Sequence, residues 1–164
     1  MKTIQRNLRI VLVMFILAFV GVACSKDEIA PTKEIVGEIN PAEFQRLMTA
    51  RESNKGYNFD IVGGKQDGNI LKIEVLGGCA AEDYKVVWNG LVNFSMPMQT
   101  GIILSLEPKQ GINCKAILNH TIIIDLKKLI GSNYDRENFL ISIINGSKID
   151  DWVINSSGVI TVKK

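Results

Sequence analysis

The sequence predicts a mainly β fold, an antiparallel β-sandwich with one short N-terminal helix. Three observations lead there. Short β-branched or alternating segments recur from about residue 57 to the end, at roughly ten-residue spacing. Turn signals such as Asp67-Gly68 and Asn145-Gly146 separate them. Only one stretch carries a full set of helix-start signals.

That stretch follows Ile39. Asn40 can cap, Pro41 suits the first helical position, and Glu43 stands three residues after the cap. Ile39 and Phe44 are spaced as a hydrophobic staple, and Phe44, Leu47 and Met48 form one apolar face. A helix over residues 41–51 is expected, docked on a sheet. Strands follow. Tyr57 to Val62 is strand-like, and Lys65-Gln66-Asp67-Gly68 reads as a turn. Asn69 to Leu76 alternates, with Leu71, Ile73 and Val75 on one face and Lys72 and Glu74 on the other. Asp83 to Trp88 aligns Tyr84, Val86 and Trp88. Gly101 to Leu106 is a third apolar run, and His120 to Leu126 is β-branched. A helical turn is expected over Asp125 to Gly131. Phe139 to Ile144 is apolar on both faces, and strands around Ile149 to Ile154 and Gly158 to Val162 end the chain. About eight strands so spaced suggest a sandwich of the immunoglobulin-like kind.

The chain has 164 residues with a formal net charge of +2. Its first segment is organised differently from the rest. Lys2, Arg6 and Arg9 precede an unbroken apolar run, Ile10 to Val20, then Gly21-Val22-Ala23 and Cys24. Charge, apolar core and small residues in that order read as a secretory signal. The run is short of the roughly 20 residues a spanning helix needs. Removing residues 1–23 leaves 16 basic against 17 acidic residues, a net charge near −1. The basic balance of the whole chain therefore belongs to the signal, and nothing favours nucleic acid as a partner. The expected organisation is a signal over residues 1–23, Cys24 and a polar tether over residues 24–34, and one domain over residues 35–164.

Two cysteines follow Cys24, namely Cys79 and Cys114. An even pair in an exported domain reads as one bridge, worth about 4 kcal/mol for a loop of this length. Two free buried thiols are the alternative. Zinc is not expected, because His120 is the only histidine and no CxxC pair occurs. No other metal or cofactor is indicated.

Two resemblances extend this reading. The end of the first segment, with Ala23 before Cys24, resembles a bacterial lipobox, in which the cysteine becomes the lipidated N-terminus; Gly21 departs from the usual bulky residue. Ser25-Lys26-Asp27-Glu28 resembles the export signal of Bacteroidota surface lipoproteins. Residues 77–88, GGCAAEDYKVVW, are similar to a pattern in small Bacteroidota lipoproteins of unknown role, including NigD-like proteins. Gly77, Gly78, Cys79, Tyr84 and Trp88 match it, as do Cys114 and Asp125-Leu126 in its second half. Glu82 stands where that pattern has a histidine. The resemblance covers roughly residues 69–130 and implies a disulfide-linked, β-rich envelope lipoprotein with no assigned reaction. Independently of it, two glycines before a cysteine allow a sharp turn or positive φ.

Candidate chemistry is sparse. Glu82 and Asp83 could bind a cation or act as acid and base, but strand neighbours point to opposite faces. Asp150, Asp151 and Trp152 could recognise a glycan by stacking and hydrogen bonds; a Trp buried in the last hairpin is the plainer reading. His120 has no partner nucleophile in a G-x-S-x-G elbow. Gly63-Gly64-Lys65 lacks the rest of a phosphate loop and reads as a turn. Met96-Pro97-Met98 is an apolar loop, either core filling or an exposed contact patch. No catalytic residue is assigned. The sequence favours a non-enzymatic binding or scaffolding lipoprotein of the outer membrane, lipid-anchored through Cys24 and exposed on the cell surface. A glycan-binding or hydrolysis accessory protein and a periplasm-facing partner of an envelope complex are the alternatives.

Overall fold

The computed structural model describes residues 32–108, 117–154 and 157–163. The signal segment, Cys24, most of the tether and Cys114 lie outside the described residues. Ten strands and two short α-helices run in the order β1 (Thr32–Glu34), β2 (Glu38–Ile39), α1 (Pro41–Glu52), β3 (Asp60–Asp67), β4 (Ile70–Leu76), β5 (Tyr84–Trp88), β6 (Met98–Leu106), β7 (Asn119–Asp125), α2 (Leu126–Ile130), β8 (Phe139–Asn145), β9 (Asp151–Ile154) and β10 (Ile160–Val162). They form a four-stranded sheet, β1-β7-β4-β3, and a six-stranded sheet, β10-β9-β8-β6-β5-β2. The chain is mainly β, as expected.

The two sheets share one core. Leu71, Ile73 and Val75 of β4 and Ile122 and Ile124 of β7 meet Val86, Trp88, Ile102, Leu104, Ile141 and Ile143 of the larger sheet. A second, smaller core lies on the other face of that sheet, where Leu47 of α1, flanked by Phe44 and Met48, covers Val87, Ile103 and Ile144. β6 and β8 are thus covered on both faces, which is why their sequences are apolar without alternation.

Helix α1 starts as its sequence dictates. The Asn40 side chain accepts from the Glu43 backbone N–H at 3.0 Å, and Pro41 opens the helix. The reciprocal half of the capping box is replaced, since the Glu43 carboxylate engages Arg46 and Lys85 instead. Ile39 is not a buried staple. It pairs with Trp88 in β2 and is 60% exposed.

The antiparallel expectation needs correcting. Three pairings are parallel, namely β1 with β7, β2 with β5 and β6 with β8. Parallel neighbours require a crossover. For β6 and β8 the chain supplies it by leaving the larger sheet, building β7 in the smaller one, and returning through α2. The pairs β1 and β2 arise because one extended segment borders first one sheet and then the other. At its crossing stands Gly37, where a Cβ would lie 2.9 Å from Leu129 Cδ1 and 3.2 Å from Val86 Cγ1. β1 also places part of the expected tether inside the fold.

The registers define two ends of the sandwich. Thr32 pairs with Thr121, and Leu76 with Asn119, at one end. Gly77 follows there, and its carbonyl accepts from the Tyr84 hydroxyl at 3.0 Å. This is the entry pole, where the chain joins the fold. At the far pole Ile39 pairs with Trp88, Ile70 with Asp125, and Met98 with Phe139. The nine residues of β6 put the poles about 30 Å apart. Helix α1 starts at the far pole and returns along the larger sheet.

Candidate functional site

The expected acid–tryptophan cluster is not assembled. Trp152 is the cross-strand partner of Ile143 and packs against the core between the sheets. Asp151 pairs with Ile144, so it faces the α1 side. There its carboxylate takes the Arg51 guanidinium at 2.5 Å, while Arg51 Nε donates to the Lys148 carbonyl at 2.7 Å. Arg51 is 4% exposed. Together these bonds pin the end of α1 to the start of β9. Asp150 is exposed just before the strand. Alternation along β9 therefore separates the aromatic ring from the adjacent acid.

The Gly-Gly-Cys region lies at the entry pole. Gly77 and Gly78 both take positive φ, 134° and 71°, as two consecutive glycines permit. Added Cβ atoms would press on Phe59 at 3.0 Å and on Leu106 at 3.0 Å. Cys79 is disulfide-bonded; its expected partner Cys114 falls outside the described residues. Glu82 and Asp83 form a 3-10 turn, Ala81–Asp83, rather than a strand. They still diverge, with Asp83 buried and Glu82 facing Lys33 at 3.6 Å. No group of three or more His, Cys, Asp or Glu residues suited to a metal ion occurs among the described residues.

His120 faces inward beside this turn and is 1% exposed. Its ring lies 5.9 Å from that of Tyr84, which meets Phe59 edge-on at 5.3 Å. Neither imidazole nitrogen has a hydrogen-bond partner among the described residues. Burial, with Asp83 and Asp60 adding to it, pushes the Tyr84 hydroxyl above the usual phenol range. This arrangement closes the end of the core and offers no nucleophile to solvent.

Charges gather instead on the larger sheet beside α1. Lys85 lies 2.9 Å from Glu38 and 3.1 Å from Glu43, and Arg46 bridges Glu43 to Glu107. The hydrogen bond from Arg46, aided by Lys85 and opposed by burial, holds the Glu43 carboxyl down at about 2. These contacts brace the helix.

Three exposed apolar residues stand on one loop at the far pole, between β5 and β6. Leu91, Phe94 and Met96 are 69%, 89% and 95% exposed. The loop is internally braced. Asn93 and Gln99 exchange backbone hydrogen bonds at 2.8 and 3.0 Å, and the Ser95 hydroxyl donates to the Pro97 carbonyl at 2.6 Å. At its base Trp88 Nε1 donates to Thr100 Oγ1, which donates to the Leu91 carbonyl, and Val92 packs on the core. No charged residue occurs from Asn89 to Ser105. Met98, by contrast, is partly buried in β6. Of the two readings of Met96-Pro97-Met98, the exposed patch holds for Met96. Leu91 and Phe94 escaped the sequence reading, although their setting among Asn-Gly, Asn, Ser and Pro was a signal that they belong to a projecting loop.

Comparison with family models, curated proteins and solved structures finds no match to this chain.

Proposed function

We propose that this chain is an envelope lipoprotein that works by binding rather than catalysis. Cys24 carries the lipid, and the domain presents its far-pole loop to a partner. The observation that carries the reading is that loop. Three large apolar side chains stand in solvent on a braced hairpin, at the pole opposite the one where the chain enters. Isolated apolar side chains on a surface are ordinary; three on one short braced loop support a contact site. The signal-like first segment and the lipobox resemblance support the anchor. The Ser25-Lys26-Asp27-Glu28 stretch supports an outer-membrane protein facing outward, akin to the small Bacteroidota lipoproteins with the Gly-Gly-Cys pattern. A Cys79–Cys114 bridge would stiffen the entry pole. The two sheets around one core support an immunoglobulin-like sandwich in the broad sense, with the parallel β6–β8 pair as its departure.

The test is protease shaving of intact cells carrying the tagged full-length protein, with Cys24→Ala as control. The reading expects the wild type to be shaved from whole cells and the variant to lose membrane attachment. Protection until the outer membrane is broken would move the partner to the periplasm. Unchanged attachment of Cys24→Ala would overturn the anchor.

A further inference from the structure

We propose that Asn89 is a site of spontaneous deamidation, a time-dependent modification that adds a negative charge at the base of the far-pole loop. The proposal goes beyond the contact reading and does not depend on it. The chain holds two Asn-Gly pairs, Asn89-Gly90 and Asn145-Gly146. In each, the glycine main-chain nitrogen can attack the asparagine Cγ, because no Cβ on the glycine hinders the approach. The fold treats the two pairs in opposite ways.

At Asn89 the reacting nitrogens are free. The residue follows β5 in irregular backbone and is half-buried, and Gly90 is exposed. Among the described residues no acceptor holds the Gly90 N–H, and none holds Asn89 Nδ2. Asn89 Oδ1 accepts from the Leu91 N–H at 3.0 Å. That bond turns the side chain along the main chain toward Gly90. It also sets a donor on the oxygen where negative charge develops during attack.

At Asn145 the same nitrogens are committed. Asn145 is 1% exposed. The Gly146 N–H donates to the Leu104 carbonyl at 2.8 Å, and Asn145 Nδ2 donates to the Phe59 carbonyl at 3.2 Å. Its Oδ1 also accepts from a main-chain N–H, that of Ser147 at 2.8 Å. The two sites therefore share the donor on oxygen and differ at both nitrogens and in access for water. Attack at Asn145 requires buried hydrogen bonds to break first.

The step balances without an oxidant or reductant. The Gly90 nitrogen gives its proton to hydroxide and bonds to Asn89 Cγ. The bond from Cγ to Nδ2 breaks, and ammonia leaves with a proton from water, which regenerates hydroxide. Water then opens the resulting cyclic imide at either carbonyl, giving aspartate or isoaspartate. Either carboxyl is ionised at neutral pH. The segment from Asn89 to Pro97 has no charged residue, so the modification brings its first charge, close to Leu91.

The test incubates full-length protein in mildly alkaline buffer, folded and in urea, and follows each Asn-Gly peptide by mass spectrometry. In urea both peptides should gain the mass of deamidation at similar rates. In the folded protein Asn89 should continue to convert, while Asn145 slows at least about tenfold. Anion exchange should show acidic forms that accumulate with time, and Asn89→Gln should remove most of them, because its longer side chain closes the ring slowly. Isoaspartate methylation should label the Asn89 peptide. Asp67-Gly68, on the exposed turn between β3 and β4, can form the same imide without a mass gain, so the mass gain assigns the site. An Asn89 peptide protected by folding as strongly as the Asn145 peptide would overturn the proposal. So would an Asn89→Gln protein that accumulates acidic forms at the wild-type rate.

Discussion

Replacing His120 by leucine should stabilise the domain. The imidazole is 1% exposed and faces the core of the sandwich, in register with Val75 of the neighbouring strand. Both ring nitrogens lack a hydrogen-bond partner among the described residues. A buried polar group left unpaired costs about 1–3 kcal/mol, whereas an apolar group of similar size carries no such cost. Against this gain stands the ring contact with Tyr84 at 5.9 Å, worth about 0.5–1 kcal/mol. The net expectation for His120→Leu is a gain of about 1–2 kcal/mol, or roughly 3–8 °C in Tm for a domain of this size. Urea unfolding followed by tryptophan fluorescence at pH 8 measures it, with the disulfide intact in both proteins. A loss of 1 kcal/mol or more would refute the reasoning, since it would mean that the imidazole makes bonds in solution that offset its burial. His120→Phe adds a control: it keeps a ring against Tyr84 and should lie at or above the wild type unless its extra volume strains the core.

Two further outcomes follow from the charged contacts. Glu43 has a carboxyl depressed to about 2 by Arg46 and Lys85. Its contribution to stability is full above the unfolded value near 4.5 and is lost as pH falls from there through about 2. Because Arg46 is largely exposed, that contribution is about 1 kcal/mol and shrinks in salt. Glu43→Gln should therefore flatten the acid limb of a stability–pH curve between pH 5 and 2 at low salt; an unchanged limb would show that Glu43 has no such role. At the other end of α1, Asp151→Ala should cost more than Arg51→Met, because the guanidinium is the buried member and would be left unpaired. Losses of about 3 and 2 kcal/mol in urea are expected, and the reverse order would contradict the assignment of Arg51 as the buried partner.

What the sequence made legible was local. Asn40, Pro41 and Glu43 specify the start of α1 through short-range backbone chemistry, and Leu71, Ile73 and Val75 identify the buried face of β4 through its period. The same logic anticipated Tyr84, Val86 and Trp88 as core and the helical turn at α2. The failures were matters of pairing. β1 and β2 are short, largely exposed border strands joined to parallel neighbours, so no alternation announces them. Gly63 and Gly64 read as a turn, yet they lie inside β3, where a bulge shifts the register between Ile61 and Gly63. Gly64 is needed there because its φ is 151° and a Cβ would stand 2.2 Å from the Lys72 carbonyl oxygen. The acid–tryptophan motif was adjacent in sequence, and the strand's two-residue period split it across two faces. The contact loop was half visible: Met96 was named, while Leu91 and Phe94 could be told from core residues only once the hairpin carrying them was in view.

The central claim is that Phe94 and Met96 are held in solvent for contact and take no part in folding. Comparing the unfolding free energy of the wild type with that of the Phe94→Asp/Met96→Asp double variant tests it most directly. The account predicts a difference within about 0.5 kcal/mol, as for exposed positions. A loss of 2 kcal/mol or more would place these side chains in the core of the folded protein in solution and remove the contact surface on which the account depends.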